Sequence, residues 1–528
     1  MKRILSLNRI FIAYALVFTG ILTGVLPREA ALAAGILLGA WMLWRPLEEG
    51  TLLFVRCIPL FIALPLTATY DNLTLWRPLA LVLLLRAMLD HDLRTELRTT
   101  YREATRNPNA WLKSHPVARR LGILLVLAGL SLIGARYPLT GAIRIIYFVN
   151  LSIVPVLIAA LVRQRRISAE QVLRAMAIPT MIVIAVGYLQ LATTYLMDVY
   201  QFMRLWGEEI QLRQFGLQWS RTAVEVGNTW LAYYGDQLSL RVFSLFPDSH
   251  SFPTFILLGI PALLAGALGP IVRAAETLPV RRLFRTVATL SVLWIPAAYL
   301  IAILSGTRGI WVASVGVVGL VPIGLFLMRR TSVPVLKRRV FAYGASFLIA
   351  WFLLFAVAWP IFISPQFLVG KADIALLGHR LRSVIDLGET SNALRLAIWR
   401  SSITSIARHP LLGVGIGNFP VVLDQDIRLA RAGSTAHNLY LHIAAEMGVL
   451  AALESILLLA SAWYATWRWF IRAEGAALVY ASSLLLYLPW VLAYVLTDPI
   501  IFDERVFLFF ATILALVWEE GKIVAGNT

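Results

Sequence analysis

The 528-residue chain is 59% hydrophobic and only 14% charged, with a mean hydropathy of +0.76, a balance foreign to soluble globular domains. Its formal charge is +18, yet Lys and Arg stand in short clusters between apolar runs rather than on one accessible face, which argues against nucleic acid as a partner. A single cysteine, Cys57, excludes an intrachain disulfide.

From the N-terminus, MKRILSLNRIFIAYALVFTGILTGVLP joins a basic front to an apolar middle, the pattern of a signal peptide. Another apolar stretch follows almost at once, so it reads as a retained first span. Runs of about 17–25 apolar residues then recur, each able to cross a hydrocarbon core of roughly 30 Å as a helix. They centre near Ala15, Leu37, Phe61, Val82, Val126, Ile153, Ile184, Ala262, Trp294, Val318, Leu348, Leu450, Leu486 and Thr512. The predicted fold is all-α and polytopic, with about 12–14 transmembrane helices and a large outward-facing loop that contains short helices. Residues 1–200 read as N-terminal spans, 201–250 as an outward-facing loop, 251–364 as further spans, 365–437 as the large loop and 438–528 as the last spans.

Four connections are rich in Lys and Arg: HDLRTELRTTYREATRNPNAWLKSHPVARR, RQRR at 163–166, RAAETLPVRRLFR at 273–285 and RRTSVPVLKRR at 329–339. All four fall on one side of the span count, which predicts that side, and both termini, to be cytoplasmic. Two long connections then face outward, at 198–250 and 365–437, and loops of such length are commonly functional. The second departs from the charge rule: between 371 and 431 it carries Lys371, Arg380, Arg382, Arg395, Arg400, Arg408, Arg428 and Arg431 against Asp373, Asp386, Glu389, Asp424 and Asp426. An anionic partner or a headgroup-facing surface would suit it. Within it, SNALRLAIWRSSITSIARHP predicts an amphipathic helix capped by Ser391 or Asn392 and ended by His409-Pro410. Arg395 and Trp399 share a face of that helix, so the indole can brace the guanidinium.

No zinc-binding H-E-x-x-H or Cys cluster, no nucleotide-cradling G-x-x-x-x-G-K-[ST] and no G-x-S-x-G elbow occurs. GVGIGNFP, from Gly413, has the spacing of a phosphate loop but no strand before it, and reads as a tight turn. Arginine and histidine at the outer interface remain. Arg308, in LSGTRGIWVA, sits in a short connection between two spans, either as a functional charge or as a snorkelling anchor. Arg241, in RVFSLFPDSHSF, precedes a span on a looser segment. His437 can accept a proton near physiological pH where arginine cannot, which suits a base beside a phosphate clamp; an interfacial polar role is the alternative. Asn438 can cap the following helix, and His442 and Glu446 can pair within it.

The succession SGTRGIWVA, SNALRLAIWRSSITSIARHPLLGVGIGNFP, STAHNLYLHIAAEMGVLAAL and DPIIFDERVFLFFATILALVW resembles the O-antigen ligase and polymerase superfamily of bacterial envelope glycosyltransferases, over roughly residues 305–518. The resemblance implies transfer of a glycan from an undecaprenyl pyrophosphate carrier to an acceptor hydroxyl at the periplasmic face of the inner membrane, with inversion and without cofactor or metal. It implies lipid A core as acceptor for ligases and a second carrier-linked glycan for polymerases, in contact with membrane lipids. By motif it places the catalytic roles on His437, Arg308 and Arg395; Arg241, Arg400, Trp399 and Asn438 are weaker candidates for binding pyrophosphate or glycan. A span count above the ligases' leaves acceptor choice open. A polymerase is the nearest alternative; a flippase of the lipid-linked glycan, for which Arg56 and Arg86 are candidate intramembrane charges, and an envelope scaffold are others.

Overall fold

The computed structural model describes residues 6–67, 71–225, 230–234, 237–275, 290–368, 390–425 and 434–522. Of the described residues, 78% are helical. The helices are α1 (Leu7–Leu22), α2 (Ala30–Trp44), α3 (Leu47–Cys57), α4 (Trp76–Leu89), α5 (His91–Arg106), α6 (Pro108–Ser114), α7 (Pro116–Ser131), α8 (Pro138–Arg163), α9 (Ala169–Thr193), α10 (Val199–Phe202), α11 (Gln211–Phe215), α12 (Leu217–Glu225), α13 (Ser251–Ala275), α14 (Trp294–Ile303), α15 (Arg308–Arg330), α16 (Val335–Phe362), α17 (Thr390–Arg408), α18 (Leu439–Met447), α19 (Val449–Arg472), α20 (Gly475–Tyr494) and α21 (Glu504–Lys522). Two antiparallel hairpins, Ala63–Leu64 with Leu73–Thr74 and Leu231–Tyr234 with Gln237–Leu240, are the strands among the described residues. Seven helices there, α8, α9, α13, α15, α16, α19 and α20, are long and apolar enough to cross a membrane, and α1, α2 and α14 are shorter apolar helices. The protein is thus an all-α, polytopic membrane protein.

Helices α20 and α13 are the centre of the bundle. Fifteen residues of α20 are buried, from Gly475 to Tyr494, and α13 packs along it through Gly269, where a Cβ would come within 2.8 Å of the Ala476 backbone. A helix buried on all sides reads as apolar throughout, with no stripe. Helix α1 belongs to the same bundle: Phe11, Tyr14, Phe18 and Ile21 are buried, and the Tyr14 hydroxyl donates to the Leu60 carbonyl at 2.8 Å.

Two predicted spans resolve differently. The run near Phe61 is helical only to Cys57; a 3-10 turn at Ile58–Leu60 and the first hairpin follow, because Pro59 and Pro65 cannot donate to a helix. The freed backbone is satisfied within the protein: the buried Arg505 donates to the Phe61 carbonyl at 2.8 Å and stacks 4.3 Å from the Phe215 ring. The run near Leu450 is two helices, broken at Gly448, whose φ of +87° is left-handed and whose missing side chain lets the Leu411 carbonyl approach.

The predicted basic side is held together by ion pairs. Arg163 reaches Glu96 at 2.6 Å, and Arg166 reaches Glu48 at 2.5 Å and Asp90 at 2.8 Å. These tie the ends of α3, α4 and α8 to α5. Arg329 and Arg330 end α15, at the opposite end from Arg308. Of RAAETLPVRRLFR, residues 276–285 lie outside the described residues, as do Lys371, Arg380, Arg382, Asp373, Asp386, Glu389, Asp426, Arg428 and Arg431 of the large loop. The 198–250 connection folds as α10–α12 and a hairpin, with Phe202, Trp206, Trp230, Val242 and Phe243 buried.

Candidate active site

The end of α20 is where the candidate residues meet. Its C-terminal turn receives the start of α15: the Trp490 indole donates to the Ile310 carbonyl at 2.9 Å, and a Cβ on Gly309 would lie 2.8 Å from the Tyr494 ring and against the Thr497 hydroxyl. The same turn receives the start of α18, whose Leu439 amide donates to the Val495 carbonyl at 2.8 Å and whose Tyr440 hydroxyl donates to that of Leu492 at 3.3 Å. Arg308 opens α15, His437 precedes α18, and Asp498 follows α20, so helix packing alone brings three distant segments together.

His437 has φ +46°, a left-handed backbone that costs a side-chain-bearing residue about 1–2 kcal/mol. Strain of this kind marks a residue whose direction is fixed by its surroundings. Asn438 supplies part of that fixing: its side-chain oxygen accepts from the Tyr440 and Leu441 amides at 3.0 and 3.1 Å, capping α18. Helix α17 supplies the rest, since the Trp399 indole donates to the Ala436 carbonyl at 2.9 Å. That bond gives Trp399 a positioning task beyond the brace predicted for Arg395. Arg400 is exposed, and Arg395 is half-buried.

The Nδ1 of His437 faces Asp498, 3.8 Å from Oδ2, and is sealed from solvent without a hydrogen bond. Asp498 escaped the sequence reading, although it opens the quoted DPIIFDERVF; its signal is a carboxylate four residues after an apolar span. Burial by itself raises its pKa, but the neighbouring His437 and His250 imidazoles and the Arg395 guanidinium outweigh burial and hold the carboxyl below the usual range. It therefore stands ionised beside the imidazole.

Arg241 lies over the SGTR turn. Its Nε donates to the Ser305 carbonyl at 3.4 Å, and its side chain passes 3.3 Å from where a Gly306 Cβ would stand; Gly306 has φ +65°. The turn is pinned from below by the Thr307 hydroxyl, which donates to the Ser249 carbonyl at 2.7 Å. Arg241 also approaches His250 Nε2 at 3.3 Å. A guanidinium only donates, so this nitrogen accepts. Burial, and then the Arg241 charge, push the His250 pKa down to about 4, and the ring is neutral at pH 7. Asp248 caps α13, accepting from the His250 and Ser251 amides at 2.7 and 2.8 Å. Neither Asp248 nor His250 was singled out in the sequence.

The glycine-rich GVGIGNFP is a turn. Gly413, Gly415 and Gly417 have φ of +63°, +97° and +74°, and its amides are taken by protein acceptors: Val414 by the Ala445 carbonyl, Gly415 by that of Glu446 and Ile416 by the Ser131 hydroxyl. Glu446 Oε1 accepts from the Phe419 amide at 2.9 Å and stands 3.5 Å from His442, the pair anticipated within α18. Arg56 donates to Asn8 at 2.6 Å and Arg86 to the Arg45 carbonyl at 3.4 Å.

The arrangement is one of three cations, an imidazole and an ionised carboxylate around one helix end. No curated protein matches the chain. The family model described as O-antigen ligase matches residues 291–454, about a third of the chain, and takes in Arg308, Arg395 and His437. That match, joined to the helical architecture, supports membership of the O-antigen ligase and polymerase family.

Proposed function

We propose that the protein is an inverting glycosyltransferase of the bacterial inner membrane that moves a glycan from undecaprenyl pyrophosphate to a hydroxyl of lipid A core, at the periplasmic face. The juxtaposition of His437 and Asp498 with the SGTR turn, Arg241 and Arg395 carries this reading. Arg308 and Arg395 hold the pyrophosphate oxygens, and Arg241 adds charge over the turn. Guanidinium groups fixed before the reaction stabilise the negative charge that builds on the departing diphosphate. His437 takes the proton of the attacking hydroxyl, and Asp498 stabilises the imidazolium so formed. The hydroxyl oxygen bonds the anomeric carbon as the bond to the pyrophosphate oxygen breaks, which inverts the centre.

A polymerase would use the same residues with a second carrier-linked glycan as acceptor. A flippase needs charge lining a path across the bilayer, whereas Arg56 and Arg86 donate to protein acceptors and the charges of the candidate site gather at one helix end. Reconstitution with a lipid-linked glycan and lipid A core, read by product mass, is the test. A glycan-bearing lipid A is expected; a longer carrier-linked chain would establish the polymerase. His437→Ala should abolish product while donor remains bound, and unchanged product would remove the base from the mechanism.

A further inference from the structure

The starts of α4, α8 and α21 assemble a second group of charged and aromatic side chains. The Arg77 guanidinium lies 5.1 Å from the centre of the Tyr147 ring and 5.6 Å from that of Trp76, and the Arg144 guanidinium lies 5.9 Å from Tyr147. Glu504 Oε2 accepts from the Trp76 indole at 2.8 Å and from the Tyr147 hydroxyl at 3.5 Å. Arg77 is half-buried, with its Nε sealed from solvent and unpartnered, while Arg144 is exposed. Among the described residues neither arginine has a hydrogen-bond or ion-pair partner. Guanidinium groups braced on rings, with their N–H donors unclaimed by protein acceptors, are free to donate to a ligand.

The group is joined through aromatic contacts to α18, the helix that follows His437. Tyr147 touches Phe148, Phe148 touches Phe502 and Phe502 touches His442, with ring centres 5.7, 5.6 and 5.5 Å apart. The 495–503 connection that carries Asp498 leads directly into Glu504. Arg77 sits in the first turn of α4 and Arg144 in the second turn of α8, and the dipole of α4 adds to the pull on an anion near Arg77. Two guanidinium forks suit phosphate oxygens, and the ring with its neighbouring carboxylate suits the face and hydroxyls of a sugar.

We propose that Arg77 and Arg144, spanned by Tyr147 and edged by Glu504, form a second anion site that takes a phosphoryl group of the lipid-borne acceptor and so aligns its hydroxyl with His437. The identity of that acceptor rests on the function proposed above; the anion site does not.

The full chain in phosphatidylcholine nanodiscs tests it by direct binding of three probes: diphosphoryl lipid A, phosphatidylglycerol and undecaprenyl pyrophosphate. Substituting Arg77→Gln with Arg144→Gln should weaken diphosphoryl lipid A by about tenfold or more, the loss of one to two charge-assisted contacts, and leave the other two probes unchanged. Arg77→Lys with Arg144→Lys should fall between, and Arg144→Gln alone, at an exposed position, reports should the double variant fail to fold. Unchanged lipid A affinity would overturn the site. An equal loss of phosphatidylglycerol would make it a general headgroup site, and a loss of undecaprenyl pyrophosphate would make it part of the donor clamp; either overturns the proposal. Transfer activity that survives His437→Ala would sink the proposed mechanism without altering these binding results.

Discussion

Asp498→Asn isolates the pairing on which the proposed base depends. The substitution keeps the size of the side chain and removes its charge. At the 3.8 Å separation from His437 Nδ1, a carboxylate stabilises an imidazolium by about 4 kcal/mol in an effective dielectric near 20. The His437 side chain is 34% accessible and that of Asp498 15%, so solvent screening reduces this to about 2–4 kcal/mol. That range corresponds to a roughly 30- to 1,000-fold loss in the chemical step. Single-turnover transfer in proteoliposomes, with donor pre-bound, measures that step directly. Donor affinity should hold or tighten, because an anion leaves the neighbourhood of a cationic clamp. A chemical step within threefold of wild type would refute the reasoning. So would weakened donor binding with the step intact, since Asp498 would then shape the donor site rather than serve His437.

Gly309→Ala sets helix propensity, worth about 1 kcal/mol in favour of alanine, against overpacking on Tyr494 and Thr497, worth about 1–3 kcal/mol; thermal unfolding should show no gain or a loss, with reduced turnover, and Thr497→Ala should restore part of both. A Gly309→Ala protein more stable than wild type and fully active would show that the α15–α20 contact does not place Arg308. Trp399→Phe removes the bond to the Ala436 carbonyl, worth about 0.5–1.5 kcal/mol, and should lower kcat several-fold with little change in the donor KM; the reverse pattern would assign Trp399 to donor binding. His250 titrates near 4 in the fold against 6.5 for an ordinary histidine. The unfolded chain therefore binds the extra proton between those values, and the His250 contribution to stability is lost as pH falls from about 6.5 to 4. His250→Gln should flatten the fall of the unfolding midpoint across that window, and an unchanged slope would assign the loss to other groups.

Hydropathy made the spans legible because a helix that crosses a bilayer needs a long apolar run whatever its neighbours are. It did not show where two helices meet end to end. Gly448 breaks the run around Leu450 through a backbone conformation that apolarity does not register, and the prolines flanking Phe61 stop a run whose composition stays apolar. The glycines of GVGIGNFP were readable as a turn, and His442 with Glu446 as a pair, because both are local. The contact of His437 with Asp498 is not local. It exists because α18 and α20 meet at Val495, and nothing in STAHNLY or DPIIF records that meeting.

A site built on helix ends divides its labour in a way the chain itself suggests. Arg308, His437 and Asp498 each stand within a few residues of a turn that α20 packs, so their mutual positions follow from the bundle and change little with the surrounding loops. The second group stands on α4, α8 and α21, and the family match at 291–454 contains none of Arg77, Arg144 or Glu504. Arg308, Arg395 and His437 lie on the matched segment, whereas Asp498 and Arg241 do not; acceptor contacts placed on the unmatched α4 and α8 would let one transfer mechanism serve different acceptors. Exchange of the 71–150 segment between two such proteins should then move acceptor preference and leave donor affinity in place. A chimera that keeps the original acceptor would locate the selecting contacts elsewhere, with the 198–250 connection as the next segment to exchange.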